Sequence, residues 1–106
     1  MNKSKVIDAL DEFCTFVSDH PPPNITFKKV VIPEDGYFEV LAHGWKGGRR
    51  IHTPLIHIEF NSEKILVVNN GTDIDLTEWL VERGIPRDAI KPGHLPPDLM
   101  EIVEKD

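Results

Sequence analysis

Val6, Leu10, Phe13 and Val17 stand at i, i+4, i+7 and i+11, and Ile7 and Cys14 widen the stripe. Lys5, Asp8, Asp11 and Glu12 take the opposite side. That periodicity predicts an amphipathic helix over residues 3–19. Pro21-Pro22-Pro23 ends it, because proline has no amide donor and drives the preceding residue out of helical backbone. Cys14 lies inside the stripe, so it reads as a small core residue and not as a nucleophile.

From residue 25 the period becomes two. Thr26–Ile32 is rich in strand formers and stops at the turn Pro33-Glu34-Asp35-Gly36. Tyr37–Trp45 follows, then Lys46-Gly47-Gly48 as a hairpin signal. Arg49–Phe60 and Lys64–Asn69 complete the set, with Asn61-Ser62-Glu63 as a tight turn between them. Links this short force antiparallel neighbours, so the pattern predicts a four-stranded antiparallel meander. In the third strand Ile56, Ile58 and Phe60 fall on one face, and Leu55, His57 and Glu59 on the other. Ile65-Leu66-Val67-Val68 is apolar on both faces, which suggests cover on the second face from a homodimer partner. Pro54 cannot donate to a ladder, so it belongs at an edge or a bulge.

The second helix has marked ends. Asp75 is the N-cap and Glu78 completes a capping-box-like pair. Ile74 and Trp79 occupy the hydrophobic-staple positions. Gly84 and Ile85 suit C′ and C″ of a Schellman motif against Leu80, and Pro86 blocks continuation. Residues 86–90 read as a short turn and Pro92–Pro96 as a loop. Pro97 at N1 starts a last short helix over Asp98–Glu104. Residues 1–106 thus form a single α+β, two-layer domain: an N-terminal helix, a four-stranded sheet and C-terminal helices.

Composition narrows the function. The 106 residues are 40% hydrophobic and 28% charged, as in an ordinary soluble domain. No apolar run reaches the ~18 residues of a membrane helix, so no membrane role is expected. Met1-Asn2-Lys3-Ser4-Lys5 does not open a signal peptide, and one cysteine cannot form an internal disulfide, so the cytoplasm is the expected location. The net charge of −6 argues against general affinity for phosphate backbones. The charge is uneven. Residues 24–69 carry six bases against five acids, while residues 70–106 carry four against nine. A protein partner with a basic face suits that field better than bare DNA.

Catalytic patterns are missing. No GxSxG elbow is present, and Asn70-Gly71-Thr72-Asp73 lacks the glycine and lysine pattern of a phosphate loop. It reads as a strand-to-helix turn. His43, His57 and Glu59 have the parity for a two-histidine, one-carboxylate site and a metal-dependent hydrolase. A polar sheet face explains them more simply, and no metal or cofactor is assigned. The chain is expected to be a non-enzyme. Its densest local chemistry is Trp45-Lys46-Gly47-Gly48-Arg49-Arg50, an aromatic and three cations around one hairpin. Guanidinium forks onto carboxylates or phosphates, and an indole stacks on bases or on arginine. Trp45, Lys46, Arg49, Arg50 and His57 are therefore the candidate partner- or DNA-binding residues.

These pieces also carry a resemblance. Gly44-Trp45, Arg49-Arg50 and Leu55-Ile56-His57-Ile58, then Ile65, Asn70-Gly71-Thr72-Asp73, Leu80-Val81-Glu82 and Gly84 through Ile90, resemble in that order the XisI family. This is the fdxN-element excision controlling factor family of cyanobacteria. The likeness covers roughly residues 36–95, and Pro54, Asn70 and Asp73 of the Asn70-Gly71-Thr72-Asp73 turn, and Gly93-His94-Leu95-Pro96 depart from the family pattern. It implies a two-layer XisI-like fold and an accessory role in excision of a DNA element. It also implies an XisH-like protein partner, and brings no catalytic residues with it. Direct, weak DNA binding through the basic hairpin is the alternative. So is regulation of a nuclease-like partner unrelated to excision.

Overall fold

The computed structural model describes residues 2–61 and 63–92. Helix α1 spans Lys3–Ser18 and is capped by Asn2, whose Oδ1 accepts from the Lys5 amide at 3.2 Å. Its buried stripe is Val6, Ala9, Leu10, Phe13, Cys14 and Val17. Ile7 sits at the margin of the core. Four strands follow: β1 (Ile25–Ile32), β2 (Tyr37–Lys46), β3 (Arg49–Asn61) and β4 (Lys64–Asn70). Each pairs antiparallel with the next. Helix α2 (Leu76–Glu82) then leads through a 3-10 turn at Arg87–Ala89 to β5 (Ile90–Pro92).

Here the structure corrects the four-stranded reading. Ile90–Pro92 runs parallel to β4, with Ile65↔Ile90, Leu66↔Lys91 and Val67↔Pro92 in register. The sheet is five-stranded and mixed, in the order β1-β2-β3-β4-β5. Three residues are too few to show a period in sequence. Pro92 is tolerated because it ends an edge strand. The helix expected at Asp98–Glu104 lies outside the described residues.

Phe38 and Val40 on β2, Ile56 and Ile58 on β3, and Ile65 on β4 point to one face, where they meet α1, Leu76, Leu80 and Ile85. Each fully enclosed Leu, Ile, Val or Phe contributes ~1.5–3 kcal/mol of transfer free energy. Among the described residues no helix covers the other face of the sheet.

Two bulges break the simple alternation. Val40 faces Ile56 while Leu41 faces Pro54, so Leu55 is an extra residue in β3. Leu55 therefore does not share a face with His57 and Glu59 but turns toward the core. Pro54 sits beside this bulge, and β4 stops pairing at Ile56, so the missing amide falls where no β4 partner stands. The Asn69 Nδ2 and Gly71 amide donate to the Pro54 and Leu55 carbonyls at 2.9 and 2.8 Å. In β4, His57 faces Asn69 and Ile58 faces Val67, which makes Val68 the second bulge. The apolar run at residues 65–68 thus has a bulge in it.

The second helix ends as its sequence indicates. Asp75 Oδ1 accepts from the Glu78 amide at 3.1 Å. The Glu78 carboxylate accepts from Arg87 Nη2 at 2.6 Å, so only half of a capping box forms. At the far end Ile85 N donates to Leu80 O and Gly84 N to Val81 O, the two bonds of a Schellman motif. Asn70-Gly71-Thr72-Asp73 is the expected turn. Asn70 Oδ1 accepts from the Thr72 amide at 3.0 Å, and Asn70 Nδ2 donates to Ile74 O at 2.9 Å.

Candidate interaction surface

The β2–β3 hairpin turns through Gly47 and Gly48 at φ +56° and +79°, the left-handed pair that a two-residue turn requires. β1 pairs with β2 as far as Gly44, with a last bond from the Trp45 amide to Asn24 O at 3.1 Å, and β4 pairs with β3 as far as Ile56, with a last bond from the Gly71 amide to Leu55 O. The end of the hairpin therefore stands free of the sheet as a two-stranded ribbon. Residues 45–50 are all exposed. Trp45 is 56% exposed, and the Arg50 guanidinium carbon lies 5.7 Å from its ring centroid.

Strand alternation divides the candidate residues. Trp45 pairs with Arg50 on the uncovered face, whereas the Lys46–Arg49 rung takes the opposite face of the ribbon. His57 is also on the uncovered face, opposite Glu39. It lies six residues along β2 from Trp45, or ~20 Å at the rise of a strand. The five residues form not one patch but three: a cation–aromatic rung, a cationic tip and a distant histidine.

The distant histidine belongs to a cluster that the sequence did not reveal. Tyr37 Oη donates to Glu39 Oε2 at 3.0 Å. The Tyr37 and His57 rings lie 5.0 Å apart at 47°. His57 Nε2 is 3.0 Å from Glu59 Oε2, a close contact without the alignment of a hydrogen bond. Burial pushes the Tyr37 hydroxyl above its ordinary value of 10.0, and the bond to Glu39 and the two carboxylate charges push the same way. Tyr37 and Glu39 alternate with the core residues Phe38 and Val40, and that was their only signal in sequence.

Read along the hairpin, the uncovered face has five rungs: Tyr37/Glu59, Glu39/His57, Leu41/Pro54, His43/His52 and Trp45/Arg50. His43 is separated from His57 by the Leu41/Pro54 rung, so the His43, His57 and Glu59 metal triad does not assemble. Among the described residues no three His, Cys, Asp or Glu side chains are placed to hold a metal ion. Cys14 is buried, and burial pushes its thiol up to about 12, which keeps it from acting as a nucleophile at neutral pH. Among the described residues no helix is long and apolar enough to cross a membrane.

Among the described residues, one helical layer on one face of a five-stranded sheet with a projecting cationic hairpin defines a small α+β domain. The family model described as XisI protein matches residues 2–104, and the chain belongs to the XisI family. Two solved structures share its fold. One is an XisI-like protein from Anabaena variabilis, 24% identical, with a TM-score of 0.74 over 96% of this chain and 92% of that one. The other is described as fdxN element excision controlling factor XisI from the same organism. It is 17% identical, with a TM-score of 0.77 over 96% and 95% of the two chains. No curated protein matches the chain.

Proposed function

We propose that this chain is an accessory factor in the control of DNA-element excision, and that it acts by binding a protein partner of the XisH type. Membership of the XisI family supports the first part, as does the fold shared with a protein described as an excision controlling factor. The observation that carries the second part is the free hairpin. Lys46 and Arg49 pair at its tip, on the face opposite Trp45 and Arg50, next to two glycines that hold the turn. A two-stranded ribbon already formed before binding loses little further ordering entropy on binding. Two cations at its tip fit an acidic groove on a protein. The chain's net charge of −6 opposes nonspecific attachment to DNA.

The test is a titration of an XisH-like protein from the same genome with this chain and its Lys46→Glu/Arg49→Glu variant. Binding weakened at least ~10-fold, about 1.4 kcal/mol, is expected for the loss of two interfacial cations. Unchanged affinity would remove the tip from the contact. In parallel, labelled duplex DNA at low salt distinguishes the alternative. Salt-sensitive binding lost in the same variant would favour direct DNA contact.

A further inference from the structure

The sheet face turned away from α1 and α2 has an order that matches itself when reversed. Along the β2–β3 pair, the first two rungs carry Glu59, Tyr37, Glu39 and His57. The last two carry His43, His52, Trp45 and Arg50. The middle rung is apolar, Leu41 opposite Pro54. Leu41 is four residues from Tyr37 and four from Trp45. A two-fold axis lying in the face and crossing the strands at Leu41 therefore exchanges the two ends. It lays the Trp45/Arg50 rung of one copy over the Tyr37/Glu59 rung of the other, and the His43/His52 rung over Glu39/His57.

We propose that two copies of this chain pair through this face about that axis, with Arg50 of each copy meeting Glu59 of the other. This goes beyond the partner-binding reading, and it leaves the tip rung of Lys46 and Arg49 on the far side of the ribbon. Three observations support it. The charges are complementary, acid end on cation end, twice over, as an isologous contact requires. Apolar side chains flank the acid end of the hairpin on the same face, Val30 and Ile32 by register with Glu39 and Tyr37 and Leu66 by register with Glu59, while Lys28 stands beside Leu41 near the axis. Finally, the size is right. Strands ~4.8 Å apart and a ten-residue β2 make a face of roughly 600–700 Å² before side-chain relief. A standard interface buries about 800 Å² per partner. Sheets stacked face to face lie ~10 Å apart with strands within about 30°, an offset that an arginine can span.

The reversal gives a discriminating experiment. The full chain and three variants, Arg50→Glu, Glu59→Arg and Leu41→Arg, are compared by sedimentation equilibrium, with circular dichroism to confirm that each is folded. The wild-type chain is expected at twice its 12.1 kDa mass. Each single variant is expected to weaken the dimer at least ~10-fold, Leu41→Arg by adding two like charges beside the Lys28 pair at the axis. An equimolar mixture of Arg50→Glu and Glu59→Arg is expected to recover it, because both cross pairs again join opposite charges. A wild-type chain that stays monomeric at about 100 μM would overturn the proposal. So would a dimer indifferent to Leu41→Arg, which would place the contact elsewhere, such as the free edge of β1. Folded single variants whose mixture fails to recover would overturn the Arg50–Glu59 pairing. None of these readouts depends on the XisH-like partner, so the two readings fail separately.

Discussion

The Arg83 guanidinium sits over the Trp79 ring, its central carbon 3.7 Å from the ring centroid. From there Nη1 donates to the Trp79 carbonyl at 3.1 Å, and Nη2 reaches Glu12 Oε1 on α1 at 3.0 Å. The other side of the junction is aromatic, with Phe13 edge-on at 5.4 Å and Phe16 at 5.3 Å. Among the described residues the buried Trp79 Nε1 has no hydrogen-bond partner, so packing and the cation hold the ring. A helix of seven residues is not stable alone. This junction, with Leu76 and Leu80 in the core, is what docks α2 on α1.

Removing the cation should loosen that junction. Arg83→Ala is expected to cost about 1 kcal/mol in urea unfolding, the scale of a partly exposed cation–π contact. Arg83→Lys should recover only part of it, since an ammonium lacks the planar fork that serves the ring and the carboxylate together. Wild-type stability in Arg83→Ala would show that the rings alone hold α2.

The same contact sets an acid response. The hydrogen bond from Arg83 holds the Glu12 carboxyl below its ordinary value of 4.5. A carboxylate lowered by folding stabilises above its unfolded pKa, and that contribution fades as pH falls through the lower folded value. Melting temperature should therefore drop less steeply below pH 4.5 in Glu12→Gln than in the wild-type chain. The difference should be small because Glu12 is at the surface and screened. Parallel acid profiles would contradict the shift.

Tyr37 is the single tyrosine, so its titration can be read directly by ultraviolet absorbance. Its midpoint should lie above 10.0 in the folded chain. A raised tyrosine favours its neutral form in the fold. Its stabilising contribution is full below the unfolded value and is lost as pH rises through the folded one. Glu39→Ala removes both the accepted hydrogen bond and one negative charge, and should bring the midpoint down toward 10.0 without reaching it, because burial remains. An unmoved midpoint would show that Glu39 does not hold the phenol.

Two glycines with similar backbones should differ sharply. Gly36 and Gly47 have φ +63° and +56°, so alanine at either is strained by about 1–2 kcal/mol. At Gly47 the added methyl meets open space, and that strain should be the whole effect. At Gly36 it would run into the Phe60 carbonyl, whose own amide donates to Gly36 O at 2.8 Å. Gly36→Ala should therefore lose well over the Gly47→Ala cost in thermal unfolding. Equal losses would mean that the β3 backbone yields freely there.

Cys14 should be silent in the folded chain. With its thiol pushed up to about 12 and its side chain enclosed, it should resist a thiol reagent at pH 8 until denaturant opens the core. Labelling as fast in buffer as in urea would contradict its burial.

The amino-acid sequence by itself determined the parts of this protein that are local. The buried stripe of α1, the Asp75 cap, the Gly84-Ile85 end of α2 and the turns at Pro33–Gly36 and Lys46–Arg49 each depend on residues within a turn or two of one another. Strand boundaries came within a residue or two for the same reason. Family membership was legible in the ordered string from Gly44 to Ile90. The division of Trp45 and Arg50 from Lys46 and Arg49 was also present, as plain alternation, though the compact string looks like one patch.

Only the tertiary structure decided the rest. β5 has no period of its own and becomes a strand only because α2 returns the chain beside β4. The bulges at Leu55 and Val68 shift parity within a strand; Pro54 marked the neighbourhood of the first without fixing which residue is extra, and nothing in sequence marked the second. Tyr37, Glu39, His57 and Glu59 come from two strands, so their cluster exists only once the register is known. Register is a property of the whole sheet. It is set jointly by every turn and every buried face, and a slip of one residue would send each of these side chains to the opposite side.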